Sequence, residues 1–338
     1  PALTSSRSVR IMTRASVVVA ASVAFLMLTG CASFSQKEGE VWQRLDGGLL
    51  ENWKSLPVAA SMHWPYAWAS VSAYLHEEDG KQIDVSADCP DPHHLLRAQG
   101  WELWEELPRV GRKSQPASEL VRKLQDVHLR AEVWSNREKN VVIVAFGGTA
   151  GFEDVAANAR WLLPFGAPDA YVAVTDLYAP AFVAALERRA MEPEQQWLKS
   201  ANIVSTGHSL GAGLAQRFAY SVRPGPNNKA VKEVYGFDPS PVSGKRGVDG
   251  WEETAQGLTI FRIYKRGEIL AGLRSLLQWA NPGNSRNQGQ QWIDIRYLDD
   301  WSWRTVLPDG WIRAHGMHKF ACYLNRNSPP SERSSSSR

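Results

Sequence analysis

From about residue 57 to residue 326, apolar runs of two lengths alternate along the chain. Val141–Phe146 (VVIVAF) is uninterrupted by polar residues and rich in β-branched side chains, which fits a strand buried on both faces. Glu132–Ser135, Asn202–Thr206, Ala230–Phe237, Leu258–Tyr264 and Ile293–Leu298 read as further short strands. Phe152–Leu163, Ala179–Ala190, Leu210–Ser221 and His318–Arg326 carry the longer period of helices. Strands alternating with helices predict an α/β fold, a mostly parallel central sheet with helices on both faces. No internal repeat interrupts this order.

The amino-terminal pattern is different. Ala15–Leu28 (ASVVVAASVAFLML) is apolar and uncharged, with Arg7, Arg10 and Arg14 before it. At about 14 residues it falls short of the roughly 20 that a spanning helix needs. Basic residues, a short apolar core and small residues after it make up the grammar of an export signal. The ending Leu28-Thr29-Gly30-Cys31 resembles the lipobox of bacterial lipoproteins. That resemblance implies cleavage before Cys31 and acylation of its thiol, hence attachment to the cell envelope. With Ala32 rather than Asp next, it implies the outer membrane in a Gram-negative cell. Met12 is a candidate true start. The expected organisation is a signal peptide over 1–30, a lipid-anchored tether over 31–56, one domain over 57–326, and a disordered Ser-rich tail over 327–338.

Charge then removes one class of function. The 338 residues hold 38 Lys and Arg against 35 Asp and Glu, and the first 31 residues hold three of the Arg and no acid. The remainder is therefore balanced, 35 against 35, which argues against a nucleic-acid partner. Neither H-E-x-x-H nor C-x-x-C occurs, so no metal and no cofactor are expected. In an oxidising envelope compartment, Cys89 and Cys322 are a candidate disulfide pair, with two buried free thiols as the alternative.

The chemistry centres on Gly207-His208-Ser209-Leu210-Gly211, a G-x-S-x-G motif between an expected strand and an expected helix. That setting is the one a nucleophile elbow requires. GHSLGAGLAQ resembles the elbow of the class 3 (fungal-type) lipases, a family of α/β hydrolases. Upstream, Val144-Ala145-Phe146-Gly147-Gly148-Thr149 resembles that family's strand and oxyanion loop, and Asp154, Asn158 and Trp161 match its D-x-x-x-N-x-x-W spacing. The sequence departs at Gly147, where the family usually carries Arg. The resemblance implies an α/β-hydrolase fold, Ser209 as nucleophile, and an oxyanion hole made by the backbone N–H groups of Thr149 and Leu210.

Chain order in this fold is serine, acid, histidine. Two acids compete. Glu268 follows an expected strand 59 positions after Ser209, where the resembled family normally has Asp. Asp238 lies at the end of another strand, on a stretch that resembles the family's F-G-x-P loop. For the base, His315 opens an H-x-M-x-x-aromatic run resembling the catalytic loop of bacterial relatives, and His318 sits inside the following helix. His208, beside the nucleophile, is expected to pack or to touch substrate. The reading is a membrane-anchored serine hydrolase of carboxylic esters, acyl lipids first. Its rivals are an esterase for short or non-lipid esters and an inactive envelope lipoprotein. Trp161, Trp279, Trp292, Trp301 and Trp303 flank the motif loops and read as core, as does the apolar run Leu270, Leu273, Leu276, Leu277 and Trp279.

Overall fold

The computed structural model describes residues 39–46, 48–74, 89–107, 119–127, 129–148, 168–223, 230–239, 244–245, 247–265, 289–298 and 316–329. Its strands are β1 (Glu40–Leu45), β2 (Glu51–Ser55), β3 (Glu102–Leu103), β4 (Ala131–Asn136), β5 (Val141–Phe146), β6 (Asn202–His208), β7 (Glu233–Phe237), β8 (Thr259–Lys265) and β9 (Gln291–Tyr297). Its helices are α1 (Leu56–Ser72), α2 (Pro92–Ala98), α3 (Glu119–Asp126), α4 (Pro168–Ala173), α5 (Ala179–Met191), α6 (Leu210–Ser221), α7 (Trp251–Thr254) and α8 (Met317–Asn327). A π-helical turn, Val174–Tyr178, joins α4 to α5.

All nine strands form one sheet in the order β2-β1-β9-β8-β7-β6-β5-β4-β3. The five inner strands β5 to β9 run parallel. Antiparallel pairs close both flanks, β4 and β3 on one side and β1 and β2 on the other. The carboxyl ends of β5 to β9 therefore share one edge.

Side-chain alternation in β5 explains its unbroken apolar run. Val142, Val144 and Phe146 enter the core under α5 and α6 with Tyr178, Phe182 and Phe218. Ile143 and Ala145 enter the core under α1 and α8 with Trp68, Phe237, Tyr297 and Phe320. Both faces of the strand are dry, so neither set of positions is polar. Burying each Phe is worth about 1.5–3 kcal/mol.

The stretch 31–56 was expected as a tether, yet Glu40–Leu45 and Glu51–Ser55 are strands of the sheet, and Gly39–Arg338 form one compact unit. The physical reason is β9. Val41 of β1 is fully buried opposite Tyr297, and β1 covers the ladder that β9 would otherwise leave open. Arg44 of β1 and Arg262 of β8 both reach Asp294 of β9, at 2.6 and 2.5 Å, tying three strands through one buried carboxylate.

α1 crosses the sheet on the α8 side. Ala59, Ala60, Ala67 and Ala69 are fully buried, and their small size admits a close approach. Cys322 of α8 is disulfide-bonded to Cys89, with Cα atoms 5.0 Å apart, across 233 residues of chain. Of the two alternatives the sequence left open, the disulfide is the one present. Helix α8 runs through Asn327, the first residue of the expected tail. The expected signal segment with Cys31, the helix expected over Phe152–Leu163, and residues 330–338 of the expected tail lie outside the described residues.

Candidate active site

Ser209 stands between the last residue of β6 and the first of α6, with φ 55° and ψ −119°. A non-glycine residue held there costs of order 1–3 kcal/mol, so the neighbours must enforce it. They do so by contact. A Cβ on Gly207 would lie 2.3 Å from the carbonyl of Gly211, and one on Gly211 would lie 2.3 Å from the Phe146 oxygen. Both glycines of the motif are required by space. The Ser209 N–H donates to the Phe237 oxygen of β7 at 3.0 Å, which pins the turn to the neighbouring strand. The sequence-predicted nucleophile is thus an elbow at the carboxyl edge of the sheet. Leu210 is the first residue of α6, where backbone N–H groups lack helical partners and the helix dipole is positive.

The start of the loop after β5 presses on this elbow. Gly147 donates its N–H to the Arg130 oxygen at 3.0 Å, and a Cβ there would lie 2.6 Å from the Ala73 oxygen. The departure from Arg at this position has a steric reason, since no side chain fits. Arg130, from the neighbouring strand end, instead brings a guanidinium to the same corner and donates to the Tyr74 oxygen at 3.1 Å.

Tyr74 is the residue the sequence reading missed. It follows α1, and its hydroxyl donates to the His208 oxygen at 2.9 Å and lies 3.0 Å from His208 Nδ1. The same hydroxyl is hydrogen-bonded to the backbone of Gly148, and burial pushes its pKa well above the ordinary value. A Cβ on Gly148 would overlap that oxygen. One phenol therefore links helix α1, the elbow and the loop that precedes Thr149. Nothing in local sequence marks Tyr74. Only the path of α1 across the sheet brings it here.

His208 is buried, and its Nε2 lies 4.0 Å from Asp238 Oδ2. Burial here accords with packing, one of the two roles expected for it. Asp238, the second candidate acid, is fully buried at the end of β7 with φ 40°; its N–H donates to the Ile263 oxygen at 2.8 Å and its carboxylate faces His208. His318, the second candidate base, packs edge-on against Trp68 with ring centroids 6.1 Å apart. It stands beside the disulfide: Cys89, His318 and Cys322 are the one group of potential metal ligands among the described residues, and two of its three donors are bonded to each other. Thr149, Asp154, Asn158, Trp161, Glu268, Trp279, Trp301, Trp303 and His315 lie outside the described residues. Their bounding elements are described. β8 ends at Lys265, three residues before Glu268, and α8 begins at Met317, two residues after His315. The Lys265 ammonium lies 5.6 Å from the Phe320 ring centre, so the first turn of α8 and the end of β8 meet at the carboxyl edge.

Sheet order, five inner parallel strands and the strand–serine–helix elbow are those of an α/β-hydrolase fold. No protein-family model and no curated protein matches the sequence. Solved structures of fungal lipases do match the fold. The lipase Lip2 of Yarrowia lipolytica is 17% identical over 63% of this chain and 74% of its own, with a TM-score of 0.41. The triacylglyceride lipase of Rhizomucor miehei is 12% identical over 83% and 99%, with a TM-score of 0.46. Lipase II of Rhizopus niveus is 15% identical over 76% and 93%, with a TM-score of 0.42.

Proposed function

We propose that this chain is a serine hydrolase of carboxylic esters, acting on acyl lipids from a bacterial envelope membrane to which acylated Cys31 holds it. The observation that carries the reading is the strained Ser209 backbone, φ 55° and ψ −119°, maintained by two glycines and a cross-strand hydrogen bond at the carboxyl edge. Strain of this kind has a use when a side chain must be lifted from the sheet toward a reactant.

In the proposed mechanism His315 accepts the Ser209 proton as Oγ attacks the ester carbonyl carbon. Glu268 orients the imidazole and stabilises its charged form. Backbone N–H groups of Thr149 and Leu210 stabilise the oxyanion, each worth roughly 3 kcal/mol in such a site. Collapse breaks the acyl C–O bond, and His315 gives the proton to the departing alkoxide. Water then attacks the acyl-enzyme, leaving a fatty acid and free Ser209. No cofactor enters. Glu268 is favoured over Asp238 because the Asp238 carboxylate faces His208. His315 is favoured over His318 because the His318 ring is packed against Trp68.

The test is labelling by a fluorophosphonate probe together with turnover of p-nitrophenyl esters from two to sixteen carbons. Wild type is expected to label and to prefer long chains. Ser209→Ala is expected to lose labelling and at least about a thousandfold in kcat. A profile peaking at acetate would instead make it a short-chain esterase, and absent labelling would refute the hydrolase.

A further inference from the structure

The proposed mechanism leaves one cluster of metal-ligating side chains unused. Cys89, His318 and Cys322 each bring one donor atom, and the three donors lie within 4.8 Å of one another. His318 and Cys322 are four positions apart on α8, which places them on one face of the helix. Cys89 comes from the segment before α2, across 233 residues of chain from Cys322. No contiguous motif records a set divided in this way.

Packing, and not the disulfide alone, holds these donors together. Leu95 and Leu96 of α2 and Phe320, Ala321 and Leu324 of α8 are fully buried in one core. The Asp91 carboxylate, two residues after Cys89, caps α2 by accepting the His94 N–H at 2.8 Å. The His318 ring is held edge-on against Trp68, with centroids 6.1 Å apart. The two cysteine Cα atoms are 5.0 Å apart. Tetrahedral Zn²⁺ with Zn–S bonds of about 2.3 Å sets two sulfurs about 3.8 Å apart. Side-chain rotation reaches that spacing with both helices in place. Two thiolates cancel the charge of the cation, so a complex at the buried Cys322 carries no net charge. Cys89 and His318 are half-buried, which leaves a path for the ion and a fourth position for water. Thiolate and imidazole together select Zn²⁺ over Mg²⁺ or Ca²⁺.

We propose that reduction of the Cys89–Cys322 bond opens a zinc site in which both thiolates and the His318 imidazole bind one Zn²⁺. The cation then joins α8 to the segment before α2 in place of the covalent bond. A dithiol reductant supplies two electrons and two protons: the S–S bond breaks, two thiols form, and the reductant closes to its own disulfide. Zn²⁺ then binds both sulfurs and releases their two protons. None of this depends on Ser209 or on an ester substrate.

The experiment uses the full chain with Cys31→Ser, which leaves two cysteines of the three. It is reduced with dithiothreitol, freed of reductant by anaerobic gel filtration, and titrated with Co²⁺ as a spectroscopic stand-in. One Co²⁺ per chain is expected, with a thiolate-to-metal charge-transfer band in the near ultraviolet that Zn²⁺ bleaches. Cys322→Ser is expected to lose most of that band. His318→Ala is expected to weaken binding at least about tenfold, since even an outer partner of a metal ligand costs that much. His94→Ala, at an exposed histidine, is expected to change nothing. Zn²⁺ is expected to raise the Tm of the reduced chain toward that of the oxidised chain, whose own Tm it leaves unchanged. Where reduction alone unfolds the chain, reduction in the presence of Zn²⁺ is expected to keep it folded. Two titratable thiols with no charge-transfer band overturn the inference. So does undiminished affinity in His318→Ala, or a reduced chain that Zn²⁺ neither stabilises nor keeps folded.

Discussion

His63 makes the fold sensitive to acid. It lies on α1, 1% exposed, with Nδ1 2.6 Å from the Tyr297 hydroxyl and rings of Trp53, Tyr235, Phe261 and Tyr297 around it. Burial lowers its pKa from 6.5 to about 3. Between these values the unfolded chain binds a proton at this site and the folded chain does not. Stability is therefore complete above 6.5 and declines as the pH falls toward 3. Each unit is worth about 1.4 kcal/mol, so His63 alone removes about 2 kcal/mol between pH 7 and pH 5. The perturbation is His63→Gln, which keeps a polar partner for Tyr297 and cannot titrate. Urea unfolding at pH 7 and pH 5 would be compared for both proteins. The variant is expected to lose about 2 kcal/mol less than wild type over that interval. Equal losses, or an imidazole resonance titrating near 6.5 in the folded protein, would refute the argument.

Three further outcomes are expected. Tyr74→Phe removes the hydroxyl shared by His208 and Gly148, and should lower kcat roughly tenfold with KM little changed in the p-nitrophenyl assay, loosening the loop proposed to carry the oxyanion hole rather than substrate binding. Gly211→Ala puts a Cβ 2.3 Å from the Phe146 oxygen, a backbone atom with no room to yield, and should cost about 3 kcal/mol or more by urea unfolding or prevent folding. Reduction of Cys89–Cys322 releases a 233-residue separation, worth up to about 5 kcal/mol on the chain-entropy account, and should lower Tm by several degrees.

The inner sheet was legible because its strands are buried on both sides. β5 and α6 carry the boundaries that pattern alone assigned, Val141–Phe146 and Leu210–Ser221. β7 starts three residues later than expected, at Glu233, because Ala230 to Lys232 precede its pairing with β8. Helix α1 escaped notice for opposite reasons. It holds Pro65 inside its span, and it is buried on most of its circumference, so neither propensity nor an apolar stripe announces it. β1 and β2 read as polar because they are flank strands with solvent-facing residues, and what fixes them is β9, some 250 positions away. The site divides the same way. Ser209 and its glycines form a local turn and are visible in five residues. The Tyr74–His208–Asp238 cluster draws on α1, β6 and β7, and no local pattern records such a meeting.

The bond between Cys89 and Cys322 also orders events in time. A chain that emerges amino end first makes α1 well before α8, yet these two helices share one core. Until α8 docks, Trp68, Phe237 and Tyr297 lack the Phe320 side that completes their packing. The sheet then has one finished face and one open face, a state prone to wrong association. Helix α8 acts as a closing plug, and the sulfur–sulfur bond joins it to Cys89. Docking of α8 therefore completes the second core and the covalent ring together.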